Sequence, residues 1–136
     1  MQIIKLENVT IINDTYNANP DSFVAALKTL GHMADSADHR KVVVVGDMLE
    51  LGPQSEALHG ELFRQFIASG ITAVFSIGPA CKAATDLYRK KHGVMMFNFS
   101  SHEKLANKLK DYIRSGDTIL LKGSRGMQME KVLAFL

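Results

Sequence analysis

Short β-branched runs alternate along the chain with longer stretches whose apolar residues recur every three or four positions. That rhythm predicts parallel α/β architecture. Gln2–Leu6 and Val9–Asn13 read as two strands parted by Glu7-Asn8, hence a hairpin. Asn19 or Asp21 can cap the next element, with Pro20 early in it. Phe23, Ala26, Leu27, Leu30 and Met33 then line one face of a helix. Lys41–Gly46 holds Val42-Val43-Val44-Val45, an unbroken apolar run suited to a strand buried on both faces. Ser55 opens a second helix, with Leu58, Leu62, Phe66 and Ile67 at helical spacing. Ala73–Ile77 is the next parallel strand and ends at Gly78-Pro79; a helix over 80–91 and a short strand over 94–97 follow. Ser101 and residues 104–113 give a further helix, with Leu105, Leu109, Tyr112 and Ile113 pointing one way. Gly116-Asp117 then turns the chain into a last strand over 118–122, and residues 127–135 read as a closing helix. There is no internal repeat, low-complexity tract or linker. The prediction is one three-layer, Rossmann-like α/β domain over residues 1–136, its mostly parallel sheet carrying an antiparallel edge hairpin at the amino end.

Composition narrows the class without changing the fold. The 136 residues are 46% apolar and 22% charged, enough to bury a core and too apolar for a disordered chain. Sixteen basic against fourteen acidic side chains leave a net charge of +2, which gives no reason to expect nucleic acid or a membrane surface as partner. The single cysteine, Cys81, excludes an internal disulfide and a cysteine-rich zinc site. A reducing, cytoplasmic setting is the expectation. Met1-Gln2-Ile3-Ile4-Lys5 lacks the apolar stretch and cleavage site of a signal peptide, and no apolar run approaches the roughly 20 residues that span a bilayer.

Ligands of open α/β sheets bind beyond the carboxyl ends of the strands. Here those ends carry Asn13-Asp14-Thr15-Tyr16-Asn17-Ala18-Asn19-Pro20, Gly46-Asp47-Met48-Leu49-Glu50-Leu51-Gly52, Ile77-Gly78-Pro79 and Lys122-Gly123-Ser124-Arg125-Gly126. Polar and glycine-rich segments thus gather on one rim. Asp14 can accept hydrogen bonds from the hydroxyls of a ribose, or serve as a turn or cap aspartate. Tyr16, Asn17 and Asn19 can touch a base or a small polar substrate, and are also ordinary loop residues. Lys122 and Arg125, parted by Gly123-Ser124, form the strongest local candidate for gripping an anion, against the alternative of a solvated turn. A helix beginning near Met127 would add the positive end of its dipole.

Other chemistry-bearing residues make weaker cases. Asp47 and Glu50, three apart, suggest a metal or acid/base pair, but no further ligand is tied to them, and Asp47 can equally cap a turn. His59 reads as a helix-surface or loop-packing residue; His32, His39, His92 and His102 show no ligand spacing. Cys81 at a helix start could have a lowered thiol pKa, yet without a partner histidine it reads as structural. Met48, Met127 and Met129 are expected to pack. The chain has neither a G-x-x-x-x-G-K-[ST] loop nor a G-x-G-x-x-G after a strand, so it cannot cradle a nucleotide triphosphate by itself.

Asp14-Thr15-Tyr16-Asn17-Ala18-Asn19-Pro20, Gly46-Asp47-Met48-Leu49-Glu50-Leu51-Gly52 and Lys122-Gly123-Ser124-Arg125, in that order, resemble the third domain of the Mur ligases. The first motif matches the branch that adds D-alanyl-D-alanine to the peptidoglycan precursor, and the resemblance runs from about Gln2 to the end. It implies a three-domain ATP-dependent ligase. One domain binds UDP-N-acetylmuramoyl-tripeptide, a central one carries the phosphate loop and magnesium sites, and the third closes over both. ATP and Mg then belong to the whole enzyme, neither being held by this domain alone. ATP would phosphorylate the precursor's terminal carboxylate, and the dipeptide amine would attack the resulting acyl phosphate. The resemblance gives Asp14, Tyr16 and Asn17 to the nucleotide and Asn19, Lys122, Ser124 and Arg125 to the dipeptide, with Arg125 on its carboxylate. It assigns no catalytic residue and no metal ligand here, and implies a monomeric, cytoplasmic domain that is inactive when isolated. Two rivals remain: a sister ligase, such as one extending folate with glutamate, and a non-catalytic α/β binding module.

Overall fold

Four consecutive valines cannot all face one side of a strand, and in a computed structural model of the chain they face two cores. The structure describes residues 1–34, 39–89 and 93–136. Strand β3 (Lys41–Gly46) sends Val43 and Val45 into one apolar cluster and Val42 and Val44 into another, each of them fully buried. The same alternation runs through β2 (Val9–Asp14), β4 (Ala73–Ile77) and β6 (Thr118–Lys122). Leu120, for example, faces the first cluster while Ile119 and Leu121 face the second. β1 (Gln2–Leu6) and β5 (Met95–Phe99) are the edges of a six-stranded sheet ordered β1-β2-β6-β3-β4-β5. β1 is antiparallel to β2, and every other pairing is parallel.

Right-handed crossovers then decide which face each helix covers. From β2 the chain steps to β3, β4 and β5 in one direction, through α1 (Pro20–Met33), α2 (Ser55–Ala68) and α3 (Pro79–Tyr88). These helices share the first face, where Phe23, Phe63 and Phe66 are fully buried. The return from β5 to β6 runs the other way, so its helix, α4 (His102–Tyr112), covers the opposite face with Leu105, Ala106 and Leu109. The last strand therefore slots between β2 and β3, and that reversal is the topological switch point at which such sheets bind ligands.

Several element ends differ from the sequence expectation. α3 stops at Tyr88, short of expectation, where Arg89 turns extended at ψ 138°; Lys90 and Lys91 of the expected helix lie outside the described residues, as does His92. The short strand before α4 runs two residues further than expected, to Phe99. The closing segment is not an α-helix. It is a 3₁₀ turn at Arg125–Met127 and a 3₁₀ stretch at Met129–Phe135, separated by Gln128 in the left-handed region (φ 50°). That break turns Met129 and Val132 into the second core, where both are fully buried. The helix dipole expected at Met127 is consequently absent.

α1 starts on a reciprocal cap. The Asn19 side chain accepts from the Ser22 amide at 2.9 Å, and the Ser22 hydroxyl accepts from the Asn19 amide at 3.0 Å. Asn19→Ala is expected to cost about 1 kcal/mol, visible as a lower urea midpoint at unchanged m-value.

Candidate functional site at the carboxyl rim

Register alone brings two of the predicted site residues together. In the parallel pairing of β2 with β6, Asp14 lies beside Lys122, and Lys122 lies beside Val45 on its other flank. Lys122 is 1% exposed, so its ammonium must find partners inside the protein. It donates to Asp14 Oδ2 at 2.8 Å and to the Asn17 carbonyl at 2.9 Å, and sits 5.3 Å from the centre of the Phe23 ring. One buried cation thus ties the final strand to the loop after β2. Asp14 stays partly open, with its side chain 18% exposed. Among the described residues its other oxygen accepts no hydrogen bond.

Ser124 ties three loops. Its hydroxyl accepts from the Leu49 amide at 2.8 Å and donates to the Ala18 carbonyl at 3.4 Å, while its amide donates to the Asp47 carbonyl at 3.2 Å. The strand ends can approach so closely because glycines meet there. A Cβ on Gly123 would stand 3.1 Å from Gly46 Cα and 2.7 Å from Met129 Cγ. Met48 and Met129 are buried, as packing residues should be.

Asp47 is buried and acts across the sheet, not in its own turn. Its carboxylate accepts from the Ala80 amide at 3.0 Å and the Cys81 amide at 2.8 Å, capping α3. Gly78 makes room for it at φ 116°, and a Cβ there would lie 2.3 Å from the carboxyl carbon. Glu50 is exposed, in the left-handed region at φ 64°, and does not join it. Burial, together with the charge of Asp47, pushes the Cys81 thiol well above its ordinary range. The lowering conceivable at a helix start is thus reversed, chiefly by burial and then by the carboxylate that caps the helix. His59 is fully buried on α2, so of its two readings loop packing is the observed one. Nδ1 donates to the Ser55 carbonyl at 2.7 Å and Nε2 accepts from the Met48 amide at 2.9 Å. Asp47, His59 and Cys81 bring one ligand atom each within 4.8 Å of one another. The one lone pair of His59 Nε2 already holds the Met48 amide, its Nδ1 proton goes to the Ser55 carbonyl, and the Cys81 thiol is held protonated, so this group serves the fold as it stands.

The remaining predicted residues lie toward solvent. Tyr16 is 82% exposed. Asn17 is exposed and accepts from the Ala18 amide at 2.8 Å, turning the loop. Asn19 is the α1 cap. Arg125 follows β6 on the turn after Ser124, its side chain 61% exposed, and donates to Glu130. All seven residues therefore sit at the carboxyl ends of β2 and β6 or on the loops that follow them, two adjacent strands at the switch point. Sequence reading missed Glu130, the reach of Asp47 to α3, and Phe23 beneath Lys122.

A sheet reversed at this point, with polar loops drawn together beyond the strand ends, places the chain among the open α/β domains, whose ligands bind at such rims. Residues 1–125 match the family model described as Mur ligase, glutamate ligase domain, and the chain belongs to that family. It is 36% identical over 134 residues to the UDP-N-acetylmuramoyl-tripeptide–D-alanyl-D-alanine ligase of Rickettsia prowazekii (strain Madrid E), covering 98% of this chain and 29% of that protein. To the ligase of the same name from Escherichia coli (strain K12) it is 38% identical over 132 residues, covering 96% and 27%. The crystal structure of the MurF ligase from Thermotoga maritima in complex with ADP superposes with a TM-score of 0.80 at 28% identity, covering 98% of this chain and 29% of that one. The chain thus spans less than a third of the length of the curated relatives it matches. Among the described residues, no helix is long and apolar enough to cross a membrane.

Proposed function

We propose that this chain is the C-terminal domain of an ATP-dependent ligase that joins D-alanyl-D-alanine to UDP-N-acetylmuramoyl-tripeptide in peptidoglycan synthesis. In this reading it forms a single domain over residues 1–136 that positions the dipeptide and completes the nucleotide site. The observation that carries the reading is the convergence of Asp14, Ser124 and Arg125 on one rim, in a chain whose relatives bear that ligase's name.

Each residue's part follows from its surroundings. Asp14 has one oxygen steadied by Lys122 and the other unbonded, which suits the two hydroxyls of a ribose. Tyr16 offers an exposed ring, and Asn17 an exposed amide, to the base. Arg125 offers a planar fork to the dipeptide carboxylate. Asn19, Lys122 and Ser124 serve the dipeptide side through the loops they fix. The sequence holds no G-x-x-x-x-G-K-[ST] phosphate loop, and the amino end of α3 is already filled by Asp47. ATP, which activates the precursor's carboxylate, and the Mg that accompanies it are therefore assigned to the rest of the enzyme. The domain contributes positioning, which can supply much of the rate of a two-substrate reaction, and exclusion of water on closure. A monomer in the cytoplasm completes the proposal.

The test is phosphate release by the full-length ligase carrying this domain, with ATP, UDP-N-acetylmuramoyl-tripeptide and D-alanyl-D-alanine. Arg125→Ala is expected to raise the dipeptide KM by about 10- to 100-fold, the span of one lost charge-assisted contact. Release that requires a different amino acid would move the chain to a sister ligase. No release with any amino acid would leave a binding module.

A further inference from the structure

Arg125 is a long, exposed side chain on a turn, and such a side chain samples many rotamers unless something holds it. Glu130 holds it. Arg125 Nη1 donates to Glu130 Oε1, and the two backbones differ sharply in how they are anchored. Glu130 lies between Met129 and Val132, both fully buried in the second core, so the acceptor stands on a rigid platform. The platform is further tied to α4, where His102 Nε2 bonds the Met127 carbonyl at 2.9 Å. Gln128, in the left-handed region, folds the segment back so that residue 130 reaches residue 125.

Partial burial pushes the Glu130 carboxyl up, but the bond from Arg125, its own amide and the Arg125 charge outweigh that and hold it below the usual range. The carboxylate is thus ionised at neutral pH beside the guanidinium. A guanidinium has five N–H donors, and the bond to Glu130 uses one at Nη1. The Nη2 and Nε edge is left to face a ligand.

We infer that Glu130 is a positioning residue for Arg125, orienting the guanidinium so that its remaining edge receives the carboxylate of the incoming amino-acid or peptide substrate. The inference rests on the reading of Arg125 given above. Glu130 touches no substrate. It removes rotamer freedom from Arg125 before the ligand arrives, which strengthens substrate binding and leaves the chemical step alone.

The experiment measures KM and kcat for D-alanyl-D-alanine in the full-length ligase, using Glu130→Ala, Glu130→Gln, Arg125→Ala and the Arg125→Ala/Glu130→Ala double variant. Glu130→Ala is expected to raise the dipeptide KM roughly three- to tenfold, the range for ordering one rotamer-rich side chain. The kcat and the KM for ATP should stay within about twofold, since a purely structural defect would move all three. Glu130→Gln keeps an acceptor oxygen and should recover most of the loss. In the double variant, Glu130→Ala should add nothing to Arg125→Ala. An unchanged dipeptide KM in Glu130→Ala would overturn the inference. So would a lowered one, which would make Glu130 a competitor for Arg125, and so would parallel losses in kcat and both KM values. If Arg125→Ala itself leaves the dipeptide KM unchanged, the reading of Arg125 fails first.

Discussion

Lys122→Met is expected to lower the unfolding free energy by about 3 kcal/mol, read as a shift in urea midpoint. Methionine keeps most of the apolar stem and removes the ammonium. Asp14 Oδ2 and the Asn17 carbonyl then lose their donor beside the Phe23 ring. Deleting one partner of a fully buried pair costs about 3–5 kcal/mol, mostly because the other charge is stranded. Asp14 is 18% exposed and can regain some hydration, which places the expected loss at the low end. Adding Asp14→Asn should return more than half of it, since no stranded charge remains. A single variant as stable as the parent would show that the pair does not hold the loop after β2.

The second large effect is expected at Gly78, where alanine meets two obstacles at once. Its φ of 116° with ψ 154° lies in a region that L side chains rarely adopt, at a cost of about 1–3 kcal/mol. The new Cβ would also stand 2.3 Å from the carboxyl carbon of Asp47, so that side chain must leave the α3 amides it caps. Loss of a cap adds about 1 kcal/mol. Together these predict a loss of roughly 3 kcal/mol by thermal or urea unfolding, with Asp47→Ala alone losing less. A Gly78→Ala variant within about 0.5 kcal/mol of the parent would mean that the backbone relaxes there at little cost.

Most of the sheet was legible because its strands are buried on both faces. An unbroken apolar run such as Val42–Val45 admits few other readings, and β3, β4 and β6 have the bounds that the pattern predicts. Ends that depend on loops were less legible. Ser55 opens α2 as the pattern predicts, but the 3₁₀ turn at Gly52–Gln54 that leads into it was not read. The closing segment has helical spacing, yet Gln128 breaks it, and nothing in a lone glutamine signals a left-handed backbone.

The rim was legible as a place and much less as a set of contacts. Strand order could not be read from periodicity, so the adjacency of Asp14 and Lys122, 108 residues apart, was hidden. Two residues each expected to face a ligand turn out to bond each other. Asp47 likewise reaches Ala80 and Cys81 through the β3–β4 pairing, which no local spacing reveals. Glu130 was out of sight for a simpler reason: a continuous helix over 127–135 would not fold it back onto Arg125.

The last strand of this domain in sequence order lies inside the sheet, between β2 and β3. β2 pairs only with β1 and β6, and β3 only with β4 and β6. A nascent or truncated chain ending before Thr118 therefore owns two unjoined pieces, a hairpin and a three-stranded fragment, each with an open inner edge. Such edges recruit other chains until the final strand seals them. Closure of the sheet thus depends on β6, and a chain cut before it is expected to be an aggregation-prone remnant, not a weakened version of the same domain.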